Sequence, residues 1–362
     1  MRKSIILAAA AIVALAACSK VEVNRPEASS ISFAPNALQT KALILPDGNS
    51  PDQTAFPVAD SFAVFAFANL DGSAVNYTNP LMNNVTIKNQ GGDWKAASGV
   101  YLWPATGTVD FYAYYPTSLS ASFVSTDPKG VSLSDISLGT AIGSQIDPLV
   151  GATLNQIASS KPTVSLVFKH ITSQIAVRAY DATTISNLQG KISIESVVFK
   201  NMKTSGTYTE GTTIGRGTWS NINTTTDFTS FSGSEVLTTS ESYLSSGSFT
   251  ASIDNNAAFV VIPEGITNDA TTGQTIEVTY SIAAYTINGF DYPATASQTV
   301  TIPLYDRVNS ANKLENGKRY VFHIGISLDG ANNEIHFSPV VEGWETVDIT
   351  GIVVDAVNAN LM

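Results

Sequence analysis

The sequence has one cysteine, Cys18, among its 362 residues. A single thiol excludes an intramolecular disulfide and a metal site built from several cysteines. Charged residues are also scarce, at 14% of the chain, whereas serine, threonine, asparagine and glycine are frequent. This composition is more typical of exported all-β proteins with long polar loops than of a cytosolic enzyme.

The chain also lacks a hydrophobic run long enough to cross a bilayer, because the apolar run from Ile5 to Leu15 is too short. This run follows Arg2 and Lys3, a pattern that predicts an export signal over residues 1–17. The sequence Leu-Ala-Ala directly before Cys18 predicts cleavage at that point and acylation of the thiol, palmitate included. Two or more acyl chains anchor a protein stably, at about 0.8 kcal/mol per buried methylene. The alternative is a stray cysteine in an ordinary secretory signal.

Charge and missing motifs exclude several classes of function. A mature chain starting at Cys18 would carry 17 basic and 30 acidic residues, hence a formal charge of −13. This acidity argues against nucleic acid or an anionic bilayer surface as a partner. The sequence has no HExxH motif, Gly-x-Ser-x-Gly elbow, phosphate-binding loop or EF-hand spacing. We therefore expect no cofactor, no metal and no catalytic site.

The body of the chain has recurrent strand signals and no convincing amphipathic helix, which predicts an all-β fold. Residues 61–68 are apolar on both faces and indicate a central strand covered on both sides. Alternation at 164–168 and again at 175–179, across a short turn, predicts a hairpin. A phase change at Glu195-Ser196 predicts a β-bulge. The polar stretch 203–256 is interpreted as long loops with short strands.

Side chains on two further strands carry local predictions. Tyr112 and Tyr114 alternate with Phe111, which predicts a half-buried face where the rings pack and the hydroxyl groups reach water. His170 ends the strand that contains Phe168, and we expect it to hydrogen-bond a backbone carbonyl. Packing in a core or between domains explains these aromatics better than a ligand platform does.

Several segments, taken together and in order, resemble the fimbrillin-like lipoproteins of Bacteroidetes, the Mfa-like and FimA-like subunits of type V pili. No single segment is diagnostic, but with Leu-Ala-Ala-Cys the ordered set covers nearly the whole chain. The matching segments are Tyr101 to Pro104, Val109 to Pro116, Asp147 to Val150, Leu166 to His170, Val261 to Pro263, Gly317 to Tyr320, and Ile335 to Phe337 followed by Trp344.

The resemblance implies a mechanism of assembly. Related subunits have two transthyretin-like β-sandwich domains, and a trypsin-like protease removes their first strand by cutting after a basic residue. A terminal strand of the next subunit then fills the groove by β-augmentation. On this chain the removable strand maps to Ile31–Phe33, before Pro35 and a polar turn, and the cut maps to Lys41. Arg25 is the second candidate, although Pro26 follows it.

The resemblance and the length together give a domain plan, since about 340 residues exceed one ordinary sandwich. Two tandem β-sandwich domains, residues 42–160 and 161–345, follow a signal peptide at 1–17 and a lipidated tether with the removable first strand at 18–41. Residues 346–362 form a tail with donor-strand character, although either terminus could donate. The donor-strand candidates are Val347, Ile349, Ile352, Val353 and Val354.

The function that the resemblance implies is that of a non-enzymatic structural subunit of a cell-surface fimbria, contributing to adhesion. Its partners would be other pilus subunits, the outer membrane through the lipid, and a host or bacterial surface receptor. An uncut anchor or accessory subunit that keeps its lipid is one alternative. The other is a surface glycan-binding lipoprotein, for which the candidate stacking residues are Trp94, Trp103, Trp219 and Trp344.

Overall fold

The computed structural model describes residues 29–37, 56, 59–69, 74–140, 145–244, 258–329, 334–343 and 352–355, the last two ranges as backbone only. The predicted signal peptide therefore lies outside the described residues. So do the residues Cys18, Arg25, Lys41, Trp344, Val347 and Ile349.

The described residues are 56% strand and contain no α-helix, which confirms the all-β class. Two 3-10 turns occur at Ala158–Ser160 and Ser186–Leu188. The first nine strands are β1 (Phe33–Ala37), β2 (Ser61–Asn69), β3 (Met82–Gln90), β4 (Asp93–Ala96), β5 (Thr108–Tyr115), β6 (Ser120–Val124), β7 (Gly130–Ser137), β8 (Leu149–Ile157) and β9 (Val164–His170). The others are β10 (Ser173–Asp181), β11 (Ile192–Lys203), β12 (Ser205–Thr209), β13 (Thr218–Ser220), β14 (Thr225–Val236), β15 (Ser242–Tyr243), β16 (Phe259–Val261), β17 (Thr275–Ile282), β18 (Tyr285–Ile287), β19 (Phe290–Tyr292), β20 (Thr295–Pro303), β21 (Lys318–Ser327), β22 (Glu334–Gly343) and β23 (Ile352–Asp355).

These strands form several sheets, an arrangement consistent with tandem β-sandwich domains. A closed barrel has the order β1-β4-β3-β2-β5-β8-β9. A second sheet runs β15-β10-β21-β22-β23, with β16 also paired to β10. The remaining sheets are β14-β11-β17-β20, β13-β12-β7-β6 and the hairpin β18-β19.

Three large apolar cores hold the sheets together. One fills the barrel and draws on residues 31–168. Another draws on residues 175–328 and lies between the β10-β21 sheet and the β11-β17 sheet. The third joins the outer face of the barrel to β7, β12 and β16. Because alternate residues of a strand point to opposite faces, one barrel strand can serve two of these cores.

Strand β2 confirms the prediction of a central strand covered on both sides. It lies between β3 and β5, with antiparallel neighbours on each edge. Its continuous apolar run is therefore explained by burial of both faces. Phe62, Val64 and Ala66 face the barrel core, whereas Ala63, Phe65 and Phe67 face the third core.

The predicted hairpin between β9 and β10 is wrong. Strand β9 pairs with β8 and β1 in the barrel, whereas β10 pairs with β21 and β16 in the second sheet. Only Ile171 and Thr172 separate the two strands, and the chain passes straight from one sheet to the other. Alternation in sequence reports which face of a strand is buried, but it does not report the partner strand.

Strand β11 confirms the predicted bulge, because its register shifts between Ile194 and Ser196 against both neighbouring strands. The interpretation of 203–256 as mainly loops is wrong for β14, which is twelve residues long. Serine and threonine on its exposed face and three register shifts mask the apolar alternation. Phe228 and Phe231 are the buried residues that tie β14 to the core.

The tyrosine face of β5 is buried rather than half-buried. Tyr112 and Tyr114 are 4% and 1% exposed and pack in the third core. The hydroxyl group of Tyr114 donates to Asn84 Oδ1 at 2.7 Å and does not depend on water. The prediction failed because sheet β13-β12-β7-β6 covers a barrel face that the sequence pattern left open.

Candidate functional site

The first strand of the barrel is the candidate site, because it closes the barrel between two strands that are not joined to each other. On one side β1 runs parallel to β9, from Phe33 opposite Val164 to Ala37 opposite Phe168. On the other side β1 meets β4 only at Phe33 opposite Trp94. The ladder of β1 is therefore strong on the β9 side and nearly absent on the β4 side.

The residues before β1 are also tied into the barrel. Ile31 N donates to Tyr101 O at 2.8 Å, and Trp103 N donates to Ser29 O at 3.1 Å. Val164 N donates to Ser32 O at 2.9 Å and continues the contact with β9. The hydrogen-bonded stretch therefore begins upstream of the predicted strand Ile31–Phe33, at Ser29, and ends downstream of it, at Ala37.

Alternate side chains of this stretch point into the barrel core. Ile31, Phe33 and Pro35 are buried, whereas Ser32 and Ala34 are only partly buried. The Phe33 ring packs edge-on against Phe62 and Phe111, with ring centroids 5.9 and 5.7 Å apart. Aromatic pairs in this geometry add stability beyond the area that they bury.

Pro35 is the residue of this site that the sequence analysis misplaced. We expected Pro35 to follow the strand, but it lies inside β1 opposite Leu166. A proline is tolerated here because the edge of β1 toward β4 has no ladder at this position that needs its N–H. The period-two spacing of Ile31, Phe33 and Pro35 was the available signal.

Of the predicted donor tail, residues 346–362, only Ile352–Asp355 are described, as β23. This strand pairs antiparallel with β22, with Ile352 opposite Phe337 and Val354 opposite Ile335. Among the described strands, β22 is its single neighbour, so β23 is an edge strand of four residues. The donor candidates Ile352, Val353 and Val354 therefore lie at a sheet edge in this chain.

The two-residue link between β9 and β10 is fixed by the side chains of Asp147 and Trp219. Asp147 accepts from Thr172 Oγ1 at 2.8 Å and lies 2.6 Å from His170 Nδ1. His170 Nδ1 thus pairs with a buried carboxylate, a partner that the sequence pattern did not indicate. Trp219 Nε1 donates to Ile171 O and to Asn316 Oδ1, at 3.1 and 3.2 Å.

The described tryptophans do not form a glycan platform. Trp94 and Trp103 are buried in the barrel core. Trp219 packs edge-on against Tyr208 beside the link, and its indole N–H is already satisfied. The most exposed aromatic side chains of the described residues are instead Phe290 and Tyr292 on the hairpin β18-β19.

One buried carboxylate near the link has a perturbed pKa. Burial raises the pKa of Glu210 to about 6, although the Tyr208 hydroxyl and the Gly211 and Gly215 amides donate to it at 2.9–3.0 Å. Gly130 allows this close packing, because a Cβ there would lie 2.4 Å from Glu210 Cβ. The desolvation of the charge outweighs three hydrogen bonds.

The described ranges also bear on two other classes of site. Within those ranges, no three histidine, cysteine, aspartate or glutamate side chains are grouped so that they could hold a metal ion. None of the described segments forms a helix with the length and hydropathy that crossing a bilayer requires.

A sequence model of one family covers most of this chain. A sequence model described as fimbrillin-like matches residues 49–344. Among solved structures, the chain is similar to a fimbrial protein from Bacteroides vulgatus, with 14% identity over 86% of this chain and 99% of that one, TM-score 0.49. It is also similar to a protein assigned to cell adhesion from Bacteroides uniformis (18% identity, 87% and 99% coverage, TM-score 0.48) and to a fimbrial assembly protein from Parabacteroides distasonis (14%, 90% and 99%, 0.39). No match was found among curated proteins.

Proposed function

The chain belongs to the fimbrillin-like family of structural, non-enzymatic proteins of cell-surface fimbriae, and from this premise we propose that β1 is its exchangeable strand. In the assembled fimbria, a strand from a neighbouring subunit would occupy the place of β1 in the barrel. The single observation that carries this proposal is the position of β1, which closes the barrel alone between β4 and β9.

Removal of β1 together with the residues that precede it would leave an apolar groove open to water. Ile31 and Phe33 are each 3% exposed, and burial of a side chain of this size contributes about 1.5–3 kcal/mol. Their loss would also expose Phe62 and Phe111 on the floor of the groove. The backbone of β9 would lose its neighbour as well. A strand that restores both the apolar packing and the backbone hydrogen bonds to β9 would therefore have a strongly favourable binding free energy.

The groove defines what an incoming strand must be. The incoming strand must run parallel to β9. It must also place apolar side chains at every second position, where Ile31, Phe33 and Pro35 now lie. The tail of the chain offers two such sets, one with Val347, Ile349 and Val353 and the other with Ile352 and Val354. Since β23 is an edge strand of four residues, little pairing has to be broken before this tail could be donated.

The position of β1 discriminates between the two candidate cleavage sites. A cut after Lys41 lies downstream of Ala37, so it would separate all of β1 from the rest of the barrel. A cut after Arg25 lies upstream of Ser29 and would leave β1 attached. Strand exchange by removal therefore requires the cut after Lys41, whereas acylation at Cys18 would hold the uncut precursor at the outer membrane.

The experiment is N-terminal sequencing and intact mass measurement of isolated fimbriae from cells that express wild type, Lys41→Gln or Arg25→Gln. We expect wild-type and Arg25→Gln subunits to begin at Ala42, and Lys41→Gln protein to remain acylated, full length and unpolymerised. Fimbriae built from subunits that still begin at Cys18 would contradict removal of β1 and would favour an anchor or accessory role.

A further inference from the structure

A small cavity lies at one end of the barrel, apart from β1. It has a volume of about 270 Å³ and opens between the start of β2, the end of β3 and the end of β5. This volume is just below the roughly 300–1,000 Å³ of pockets for drug-sized ligands. The cavity therefore suits one small molecule or the terminal unit of a larger one.

The lining of the cavity is mostly polar, which excludes lipids and aromatic ligands. Ser61 and Thr117 contribute hydroxyl groups, Asn89 an amide and Asp60 a carboxylate, while the partly exposed Pro116 supplies carbon surface. Asn89 Oδ1 accepts from Gly92 N at 3.1 Å. This bond uses the oxygen of the amide and not its N–H groups. A ligand that carries several hydroxyl groups matches such a lining.

The cavity also carries an ammonium group that has no direct ion pair among the described side chains. Lys88 lines the cavity, and the ion pairs among the described side chains include none to this ammonium. Directly across the ladder lies Lys95, which pairs with Asp93 at 2.7 Å. Like charges in opposite positions of adjacent strands repel each other. An anion bound at Lys88 would relieve this repulsion, in a chain that is otherwise acidic.

Asp60 limits how much negative charge the ligand can carry. The Tyr115 hydroxyl donates to Asp60 Oδ2 at 3.3 Å, which places the carboxylate at the cavity. A dianion such as phosphate would be repelled by this carboxylate, whereas a monoanion with hydroxyl groups could place its charge at Lys88 and donate to Asp60. Sugars that bear one carboxylate have this combination of groups.

We propose that this cavity binds a carboxylate-bearing sugar ring, with the sugar carboxylate on Lys88 and its hydroxyl groups on Asp60, Asn89 and Ser61. The ring would rest its carbon face on Pro116. This site is independent of the exchange of β1, because none of its lining residues belongs to β1. A fimbria would then display one acidic-sugar site on each subunit.

The test is a titration of the purified full chain, followed by NMR, with methyl β-D-glucuronide and with methyl β-D-glucoside, which differ at the carboxylate. N-acetylneuraminic acid methyl glycoside is the second acidic probe, and glycine is a zwitterionic probe. We expect one or both acidic sugars to bind about tenfold more tightly than the glucoside, a difference of ~1.4 kcal/mol.

Two variants locate the binding. Lys88→Gln should weaken binding of the acidic sugar about tenfold, whereas Lys95→Gln, on the neighbouring strand and outside the cavity, should change it less than about twofold. Both side chains are at least partly exposed, and equal melting temperatures would show that the fold is intact. Absence of binding at about 10 mM, equal binding of the glucoside, preference for glycine or insensitivity to Lys88→Gln would each overturn the proposal.

Discussion

At the residue scale, Phe33 is one of the buried side chains through which β1 closes the barrel. Its ring contacts Phe62 on β2 and Phe111 on β5, so one side chain links β1 to two further strands of the barrel. Ile31 and Pro35 occupy the flanking positions of the same face. The affinity of the groove for any strand should therefore depend chiefly on what fills the position of Phe33.

The first prediction concerns this position. Phe33→Ala should lower the free energy of unfolding by about 3–5 kcal/mol, because the substitution leaves a cavity among aromatic rings. Ser32→Ala is the matched control, since Ser32 is partly exposed and its Oγ lies 3.4 Å from Thr163 Oγ1, so it should cost less than about 0.5 kcal/mol. Urea unfolding measures both, and equal midpoints for the two variants would refute the role of Phe33.

A second prediction follows from Glu210. Its pKa is raised to about 6 in the folded chain, above the roughly 4.3 of an unfolded glutamate, so the folded state binds the proton more tightly. This contribution to stability is complete below about pH 4.3 and is lost as the pH rises through about 6. The loss amounts to ~2 kcal/mol.

The measurement is chemical unfolding of wild type and Glu210→Gln between about pH 4 and pH 8. The variant keeps an acceptor for the Tyr208 hydroxyl but cannot ionise, so its stability should fall less across this range. The control is Asp269→Asn, because the Thr271 and Thr272 amides lower the pKa of Asp269 and its contribution changes only at more acidic pH. Parallel pH profiles for wild type and Glu210→Gln would rule out this account.

At the scale of elements, sequence pattern predicted faces better than partners. The two-sided apolar run of β2 and the phase change in β11 are local signals, and the structure agrees with both. Pairing is not local, so β9 and β10 looked like a hairpin although they join different sheets. The buried contacts of Asp147 with His170 and Thr172 fix the link between them, and no spacing in the sequence announces these contacts.

The candidate site was likewise predictable only in part: its first strand could be located from the sequence, but its full length could not. The alternation of Ile31 and Phe33 located the first strand, but Pro35 concealed its continuation, since proline usually ends a strand. The cavity at Lys88 could not be predicted, because it depends on the ends of three strands that meet only in the barrel.

A third prediction tests the link between β9 and β10. Trp219→Phe removes the indole N–H and leaves Ile171 O and Asn316 Oδ1 without this donor, which should cost about 1–3 kcal/mol. Trp94→Phe changes the same residue type in the barrel core, away from the link. Hydrogen exchange should show faster exchange around residues 171–173 only in Trp219→Phe, and unchanged exchange there would contradict the role of Trp219.

At the scale of the whole molecule, loss of β1 should convert a self-contained chain into one that needs a partner. A chain beginning at Ala42 should bind a hydrophobic dye and associate as its concentration rises, because the groove beside β9 is open. A chain beginning at Pro26 keeps β1 and should stay monomeric. Light scattering and dye fluorescence measure the difference.

A synthetic peptide of residues 29–37 provides the matching rescue. It should suppress dye binding by the chain that begins at Ala42, whereas the same peptide with Phe33→Ala should suppress it far less. A chain from Ala42 that stays monomeric and dye-free without peptide would show that β1 is dispensable, and strand exchange would lose its physical basis.

The parallel pairing of β1 with β9 also determines how a filament would bear tension. A strand held in this groove and pulled along its own axis loads all of its hydrogen bonds to β9 at once, in shear, instead of breaking them one after another. Strand β9 passes the load through two residues to β10, which is again paired in parallel, with β21 over nine positions. Each subunit would therefore resist stretching through many hydrogen bonds that share the load along two parallel strand pairs, and not through the strength of any single contact.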